Sequence, residues 1–308
     1  MANAHLIIPT GTQVVLRRGV STGAGVPIAP AGAVGVVTAS PSDATHAYRV
    51  RLPDGREVAL RRSELSIRKQ HQSASAVGER DEILREHDLY EHVVLRCIVG
   101  SRAYGLAHEG SDVDVRGVYL PPAELHWSLY GVPEQLEDRD AEVVFWEMQK
   151  FVVLALKANP NILECLYTPL VEHVSPVARE LLGERHRFLS RVVYQTYNGY
   201  VMSQFKRLEQ DFRTTGAPRW KHAMHLIRLL LAGVTALGEG HVPVDVGSHR
   251  NVLLSIKRAE IGWDEVNDWR LRLHREFDAA YHSTSLPDRP DYAWANDYLV
   301  RARRSRVA

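Results

Sequence analysis

The sequence predicts an α+β protein: a small β-rich N-terminal domain, a central core of strands and helices, and a C-terminal α-helical domain. Short β-branched runs separated by turn residues fill residues 1–69. A near-continuous apolar run, "HVVLRCIVGS", then predicts a strand buried on both faces. After Pro176 the apolar residues recur with helical spacing to the end of the chain. These patterns predict domains at 1–69, 81–172 and 173–308, with a linker at 70–80.

Composition excludes several classes of protein. The chain has 308 residues, of which 45% are hydrophobic and 24% charged, as expected for a soluble globular protein with a sizeable core. Because the formal net charge is only +1, any nucleic-acid binding must come from local patches. Two cysteines, Cys97 and Cys165, are too few for a cysteine-based zinc site and are expected to be reduced core thiols. No apolar span of about 18 residues and no signal peptide is found, so a cytoplasmic protein is expected.

The N-terminal domain is predicted to be a small antiparallel β-barrel of the SH3 or KOW-like kind. Four β-branched runs follow one another there at intervals of roughly ten residues. Residues 1–69 carry nine Arg and Lys against four Asp and Glu. Two interpretations of this excess stay open: a surface that binds nucleic acid, or a solvated barrel whose charges keep its edges soluble.

The stretch "GSRAYGLAHEGSDVDVRG" at residues 100–117 carries the chemistry of the core. Asp112 and Asp114 are two residues apart, and alternation along a strand would place both carboxylates on one face. Like charges held this close repel each other, so a fold tolerates them readily when a cation lies between them. Gly100 lets a phosphate approach the backbone, and the Ser101 hydroxyl can bind its oxygens. The stretch therefore predicts a metal site that faces a phosphate.

A third carboxylate from a neighbouring strand would complete a site for two magnesium ions. The run "AEVVFWEM" is the best candidate for that strand. Glu142 at its start is the preferred third acid, and Asp140 and Glu147 are the alternatives.

These motifs resemble a known family. A Gly-Ser pair, then "SDVDVRG", then an acidic strand resembles the catalytic pattern of the DNA polymerase beta-like nucleotidyltransferase superfamily. The longer segments "VGSRAYGLAHEGSDVDVRGVYLPP" and "KFVVLALKANPNILECLYTP" are similar to those of the RlaP-type subgroup, some of whose members are associated with RNA ligase in RNA-repair operons. The downstream segments "KHAMHLIRLL" and "STSLPDRPD" are also similar to segments of that subgroup. The resemblance spans roughly residues 80–300 and does not cover the N-terminal domain.

The resemblance implies a mixed sheet with helices and a metal-dependent transfer of a nucleoside monophosphate from a nucleoside triphosphate to a hydroxyl acceptor. Asp112, Asp114 and Glu142 are implied as catalytic ligands of Mg²⁺, with two ions expected and Mn²⁺ as an alternative. Glu142 would also activate the attacking hydroxyl. The acceptor could be an RNA 3′ end, a protein side chain or a small molecule. The predicted nucleotide contacts are Gly100, Ser101, Arg102, Ser111, Arg116, Lys221, His225 and Arg228.

The basic residues near the motif have two interpretations each. A guanidinium fork fits a phosphate, so Arg102 and Arg116 are candidates, although Arg116 could instead form a salt bridge that holds the acids. Lys221, His225 and Arg228 lie at i, i+4 and i+7, one stripe on a helix that is otherwise largely apolar. The partner of this stripe is either a set of structural acids or an anionic substrate in the cleft between the domains.

A rival hypothesis is a non-catalytic nucleic-acid-binding or regulatory protein with a vestigial transferase fold. A carboxylate at the third position favours the enzyme, whereas an apolar residue there favours the binding protein. No local motif encodes the nucleobase preference, and the oligomeric state is open.

Overall fold

The computed structural model describes residues 8–23, 25–41, 46–68, 84 and 87–307. The chain divides into two compact units, the first ending at His87 and the second beginning at Asp88. Sheets and helices are both present, so the α+β class is confirmed. The predicted linker at 70–80 lies outside the described residues. No helix in the described part of the chain is long and apolar enough to span a membrane.

The first unit contains a five-stranded antiparallel sheet and a two-stranded ribbon. Its strands are β1 Gln13–Leu16, β2 Val20–Ser21, β3 Pro27–Ala29, β4 Val34–Ala39, β5 Tyr48–Arg51, β6 Glu57–Leu60 and β7 Leu65–Ile67. The strand order in the sheet is β6-β5-β4-β1-β7, and β2 pairs with β3. Burial alternates along β5, with Tyr48 and Val50 in the core and Arg49 and Arg51 exposed. This alternation is the reason that one face of the strand packs and the other meets solvent.

The predicted closed barrel is not confirmed. Among the described residues, β6 and β7 are the two edges of the sheet and do not pair with each other. A short 3-10 helix at Arg62–Glu64 leads the chain from β6 into β7, and β7 then pairs with β1. The sheet is therefore open along both edges.

The second unit contains a mixed five-stranded sheet. Its strands are β8 Val93–Val99, β9 Asp114–Tyr119, β10 Gln135–Asp138, β11 Val143–Glu147 and β12 Val171–Val174. The strand order is β10-β11-β9-β8-β12, with β9 and β11 parallel and the other pairs antiparallel. The three predicted strands, β8, β9 and β11, form the centre of this sheet. The edge strands β10 and β12 were not predicted, because their sequences contain few apolar residues.

Ten α-helices of the described residues belong to this second unit. They are α1 Gly100–Ala103, α2 Ala123–Trp127, α3 Met148–Leu156, α4 Pro160–Tyr167, α5 Pro176–Gly183, α6 Val192–Thr215, α7 Trp220–Glu239, α8 Arg250–Lys257, α9 Trp263–Ser283 and α10 Tyr292–Arg304. Short 3-10 helices lie at Leu89–His92, Arg185–Phe188 and Gly247–His249.

The helix break predicted at Pro160 is confirmed. Pro160 is the first residue of α4, where a proline costs no hydrogen bond, and the Asn159 side chain caps the helix by accepting from the backbone N–H of Asn161. Strand and helix residues share a single apolar core, including Leu95 of β8 and Ile227 of α7. This shared core fixes the helices against the sheet and so positions the site between them.

Candidate active site

A cavity of about 530 Å³ is lined by both the sheet and the helices of the second unit. This volume lies in the range of roughly 300–1,000 Å³ that is usual for ligand pockets. The cavity brings together nine of the predicted site residues. They are Gly100, Ser101, Ser111, Asp112, Asp114, Arg116, Glu142, Lys221 and His225.

Gly100 is required where β8 ends. Its φ is +68°, and a Cβ at this position would collide with the carboxylate of Asp114. The collision follows from the strand register, which pairs Val99 of β8 with Asp114 of β9. Because glycine has no Cβ and adopts a positive φ readily, the turn that carries Ser101 can pass close to Asp114.

The acids reach the cavity from different elements. Asp114 is the first residue of β9, but Asp112 lies in the loop before it, so the prediction that both belong to one strand is wrong. Pairing with β8 ends at Val99 and Asp114, which leaves Asp112 without a strand partner. Glu142 directly precedes β11 and has a φ of +53°. All three acids nevertheless line the same cavity.

Arg116 bonds both to Asp114 at the start of β9 and to the backbone of Glu142, which precedes β11. Its Nη2 lies 3.1 Å from Oδ1 of Asp114, and its Nη1 donates to the backbone carbonyl of Glu142 at 2.6 Å. The backbone N–H of Val115 donates to the same carbonyl at 3.1 Å. The salt-bridge interpretation of Arg116 thus has direct geometric support, and its guanidinium also lines the cavity.

The electrostatics of the acids suit a cation. The charge of Asp114, followed by desolvation and by the charge of Asp112, raises the pKa of Glu142 above its usual range. Carboxylate oxygens are the ligands that Mg²⁺ prefers in proteins, so the donor chemistry fits this metal. Within the described ranges, however, no group of three or more His, Cys, Asp or Glu side chains is arranged as a ready-made metal cluster. The raised pKa of Glu142 shows that the three acids repel one another. To coordinate one metal ion, their carboxylate oxygens would have to lie closer together.

The alternative third acids lie away from the cavity. Asp140 is exposed and does not line it. Glu147 is buried, accepts from the backbone N–H groups of Gln149 and Lys150 at the start of α3, and faces Arg303. Glu142 is therefore the acid of this segment that shares the cavity with the aspartates.

The helical side of the cavity carries positive charge. Lys221 lies in the first turn of α7, and Lys257 is the last residue of α8. Both lysines line the cavity, and neither forms an ion pair with another residue that the structure describes. Two ammonium groups without protein partners beside a cavity are well suited to an anionic ligand.

His225 differs from the lysines beside it. Burial, followed by the positive charges of Arg228 and Lys221, lowers the pKa of His225 to about 3. The imidazole is therefore neutral at physiological pH and can meet a ligand only as a hydrogen-bond donor or acceptor.

Two predicted nucleotide contacts do not line the cavity. Arg102 is exposed and donates to the backbone carbonyl of Ser111 at 3.0 Å, so it holds the loop instead. Arg228 is buried, and its Nη1 lies 2.7 Å from Oε1 of Glu164. The charge of Arg228 is therefore paired with Glu164, an acid that itself lines the cavity.

Lys257 and Glu164 are two charged residues of the cavity that the sequence analysis missed. No local motif surrounds Lys257, and it comes close only because α8 packs beside α7. Glu164 had a usable signal, because a lone acid within the apolar run "NILECLY" is expected to have a buried partner.

All the residues that line this cavity lie within the part of the chain that matches a known protein family. The family model described as "RlaP: RNA repair pathway DNA polymerase beta family" matches residues 69–301. The "Uncharacterized protein YcgL" of Bacillus subtilis (strain 168) is 25% identical over 167 residues, which is 53% of this chain and 64% of the relative. The chain therefore covers less than two thirds of the length of that relative.

Proposed function

We propose that this chain, which belongs to the RNA repair pathway DNA polymerase beta family, transfers a nucleoside monophosphate from a nucleoside triphosphate to a hydroxyl acceptor and releases pyrophosphate. Membership in the family indicates a nucleotidyltransferase-type function in RNA repair. One observation carries the finer proposal: a single cavity has carboxylates on its sheet side and, on its helical side, two lysines without an ion pair among the described residues. A triphosphate with its metal presents the complementary charges.

Asp112, Asp114 and Glu142 would hold magnesium. The metal, when bound, would neutralise the carboxylates and the phosphate charge that develops during phosphoryl transfer. The repulsion that raises the pKa of Glu142 supports this assignment, because a divalent cation would relieve it. Two ions, with Mn²⁺ as a substitute, remain part of the proposal.

The other residues of the cavity bind and orient the nucleotide. Gly100 leaves the backbone open to a phosphate, and the Ser101 hydroxyl can donate to its oxygens. Lys221 and Lys257 supply positive charge to the phosphates that leave as pyrophosphate. Arg116 keeps Asp114 beside the backbone of Glu142 and so maintains the spacing of the acids.

An RNA end is the acceptor that we propose. The family description names an RNA repair pathway, and the first unit carries exposed arginines on β5. A protein side chain and a small molecule are the other acceptors that an experiment must distinguish.

The rival function, a binding protein with a vestigial site, predicts an apolar residue in place of the third acid. Glu142 lines the cavity together with Asp112 and Asp114, which favours the enzyme.

The test is a transfer assay with each of the four α-labelled nucleoside triphosphates, magnesium and RNA oligonucleotides that end in a 3′-hydroxyl or a 3′-phosphate. We expect label on the hydroxyl-ended RNA, resolved on a denaturing gel, and loss of that label with EDTA or with Asp114→Asn. Label on the protein itself would identify a side-chain acceptor. Triphosphate binding without any transfer would support the vestigial binding protein instead.

A further inference from the structure

Three buried side chains form a hydrogen-bonded network beside the cavity, and two of them, Tyr104 and Glu164, also line it. The Tyr104 hydroxyl donates to Oε2 of Glu164 at 2.6 Å, and Arg228 donates from Nη1 to Oε1 of the same carboxylate at 2.7 Å. The Arg228 guanidinium also lies over the Tyr104 ring, 3.8 Å from its centroid. Each of the three residues is less than 10% exposed, so little of the network is exposed to solvent.

The network joins three elements that carry the site. Tyr104 ends the α1 turn, where its backbone N–H donates to the carbonyl of Gly100 and that of Leu106 donates to Ser101. Glu164 lies on α4, and its side chain also borders the cavity. Arg228 lies on α7, one turn after His225 and two turns after Lys221. The carboxylate of Glu164 is therefore the point at which the phosphate-facing turn and the lysine-bearing helix meet.

Stability alone does not account for this arrangement. A buried ion pair costs desolvation free energy that a well-packed apolar group would avoid, so such pairs are weak stabilisers. Its contribution here is to hold two elements in place. One oxygen of the Glu164 carboxylate accepts from Tyr104 at the end of α1, and the other accepts from Arg228 on α7. Burial raises the pKa of the Tyr104 hydroxyl, so it stays protonated and remains a donor at any physiological pH.

We propose that Tyr104, Glu164 and Arg228 form a positioning network that sets the spacing between the two walls of the cavity. It fixes the turn containing Gly100 and Ser101 relative to the helix that carries Lys221 and His225. Although Tyr104 and Glu164 line the cavity, the role proposed for all three is to position the groups that bind the ligand. The identity of the ligand, a nucleoside triphosphate, rests on the proposed function, whereas the mechanical role does not.

The test compares Tyr104→Phe with the control Tyr167→Phe in the full-length protein. Tyr104→Phe removes one hydroxyl and keeps the ring under Arg228. Tyr167 is also buried, but its hydroxyl has no partner among the described residues. Amide hydrogen exchange of the peptide covering residues 100–106 is the first readout. We expect exchange to quicken about tenfold in Tyr104→Phe, the factor that corresponds to one lost hydrogen bond, and to be unchanged in the control.

The second readout is the dissociation constant of a non-hydrolysable nucleoside triphosphate in the presence of magnesium. We expect it to rise about tenfold in Tyr104→Phe and to stay unchanged in Tyr167→Phe, whose hydroxyl has no partner among the described residues. Unchanged exchange at residues 100–106 would overturn the positioning role. Faster exchange in a protein whose wild type binds no triphosphate would uphold that role and overturn the proposed function. Equal weakening of binding by both variants would show that the network is only part of the packing.

Discussion

The acids of the first unit and those of the cavity in the second unit have different surroundings. In the first unit, acids are matched to arginines: Asp54 accepts from Arg56 at 2.7 Å, and Glu64 pairs with Arg18. In the second unit, three acids share one cavity with Arg116 as the cation bonded to one of them, and two lysines on the far side have no partner among the described residues. A fold gains nothing from charges left unmatched in this way. This difference supports the proposal that the cavity of the second unit binds a charged ligand.

The strongest test of this contrast is Asp114→Asn, which keeps the size of the side chain and removes its charge. If Asp114 holds the metal, nucleotide transfer should fall by at least about a thousandfold, a loss comparable to removing a main source of electrostatic stabilisation in an active site. The protein should stay folded, because the change also relieves repulsion with Glu142. The rate of label transfer to RNA, with circular dichroism as a check on folding, measures both.

Asp140→Asn is the matched control, since Asp140 is exposed on the same segment as Glu142 but outside the cavity. It should keep full activity. Activity retained in Asp114→Asn, or lost equally in Asp140→Asn, would contradict the proposed assignment of the acids.

A second test concerns the two lysines of the cavity, Lys221 and Lys257. Lys221→Ala and Lys257→Ala should each weaken the binding of a nucleoside triphosphate by roughly tenfold or more, the usual size of a hydrogen bond to a charged group. Isothermal titration with a non-hydrolysable triphosphate and magnesium measures the dissociation constant. Lys157→Ala, an exposed lysine outside the cavity, should change nothing. If Lys257→Ala behaves like this control, α8 has no part in binding the ligand.

The sequence predicts the local features of the second unit but not those that depend on tertiary packing. Strands β8, β9 and β11 and the break at Pro160 follow from apolar periodicity and proline chemistry, which are local. The sequence predicts Asp112 on a strand because alternation continues past Asp114, and no local pattern reports the register that pairs Asp114 with Val99, the last residue of β8. The position of Arg228 depends on how far α7 sinks into the core, and that of Lys257 on the packing of α8. Such tertiary facts are not encoded in the spacing of residues along one helix.

The exposed arginines of the first unit allow a smaller test. Arg49 and Arg51 lie on the open face of β5, without an ion pair to any residue within the described ranges. If this face binds RNA, the double variant Arg49→Ala and Arg51→Ala should lower the salt dependence of RNA affinity. The slope of log affinity against log salt should shrink by roughly 1.4, since each contact with a single strand contributes about 0.7. Arg56→Ala, whose guanidinium is already held by Asp54, is the control, and equal slopes in all three proteins would show that the first unit does not contact RNA.

The smallest expected effect is a stability difference between Glu142→Gln and Glu64→Gln in metal-free buffer. The raised pKa of Glu142 means that the folded protein binds this proton more tightly than the unfolded chain. Its stabilising contribution is complete below the ordinary pKa of about 4.3 and is lost as the pH rises through the raised value. Glutamine resembles the protonated acid. The melting temperature of Glu142→Gln should therefore equal that of the wild type at pH 3.5 or below and be slightly higher than that of the wild type at pH 7.5. Glu64→Gln should instead melt lower at pH 7.5, because it breaks a pair with Arg18 and a cap on Arg61. If both variants melt lower at pH 7.5, the acids of the second unit are as well matched as those of the first, and the contrast between the two units fails.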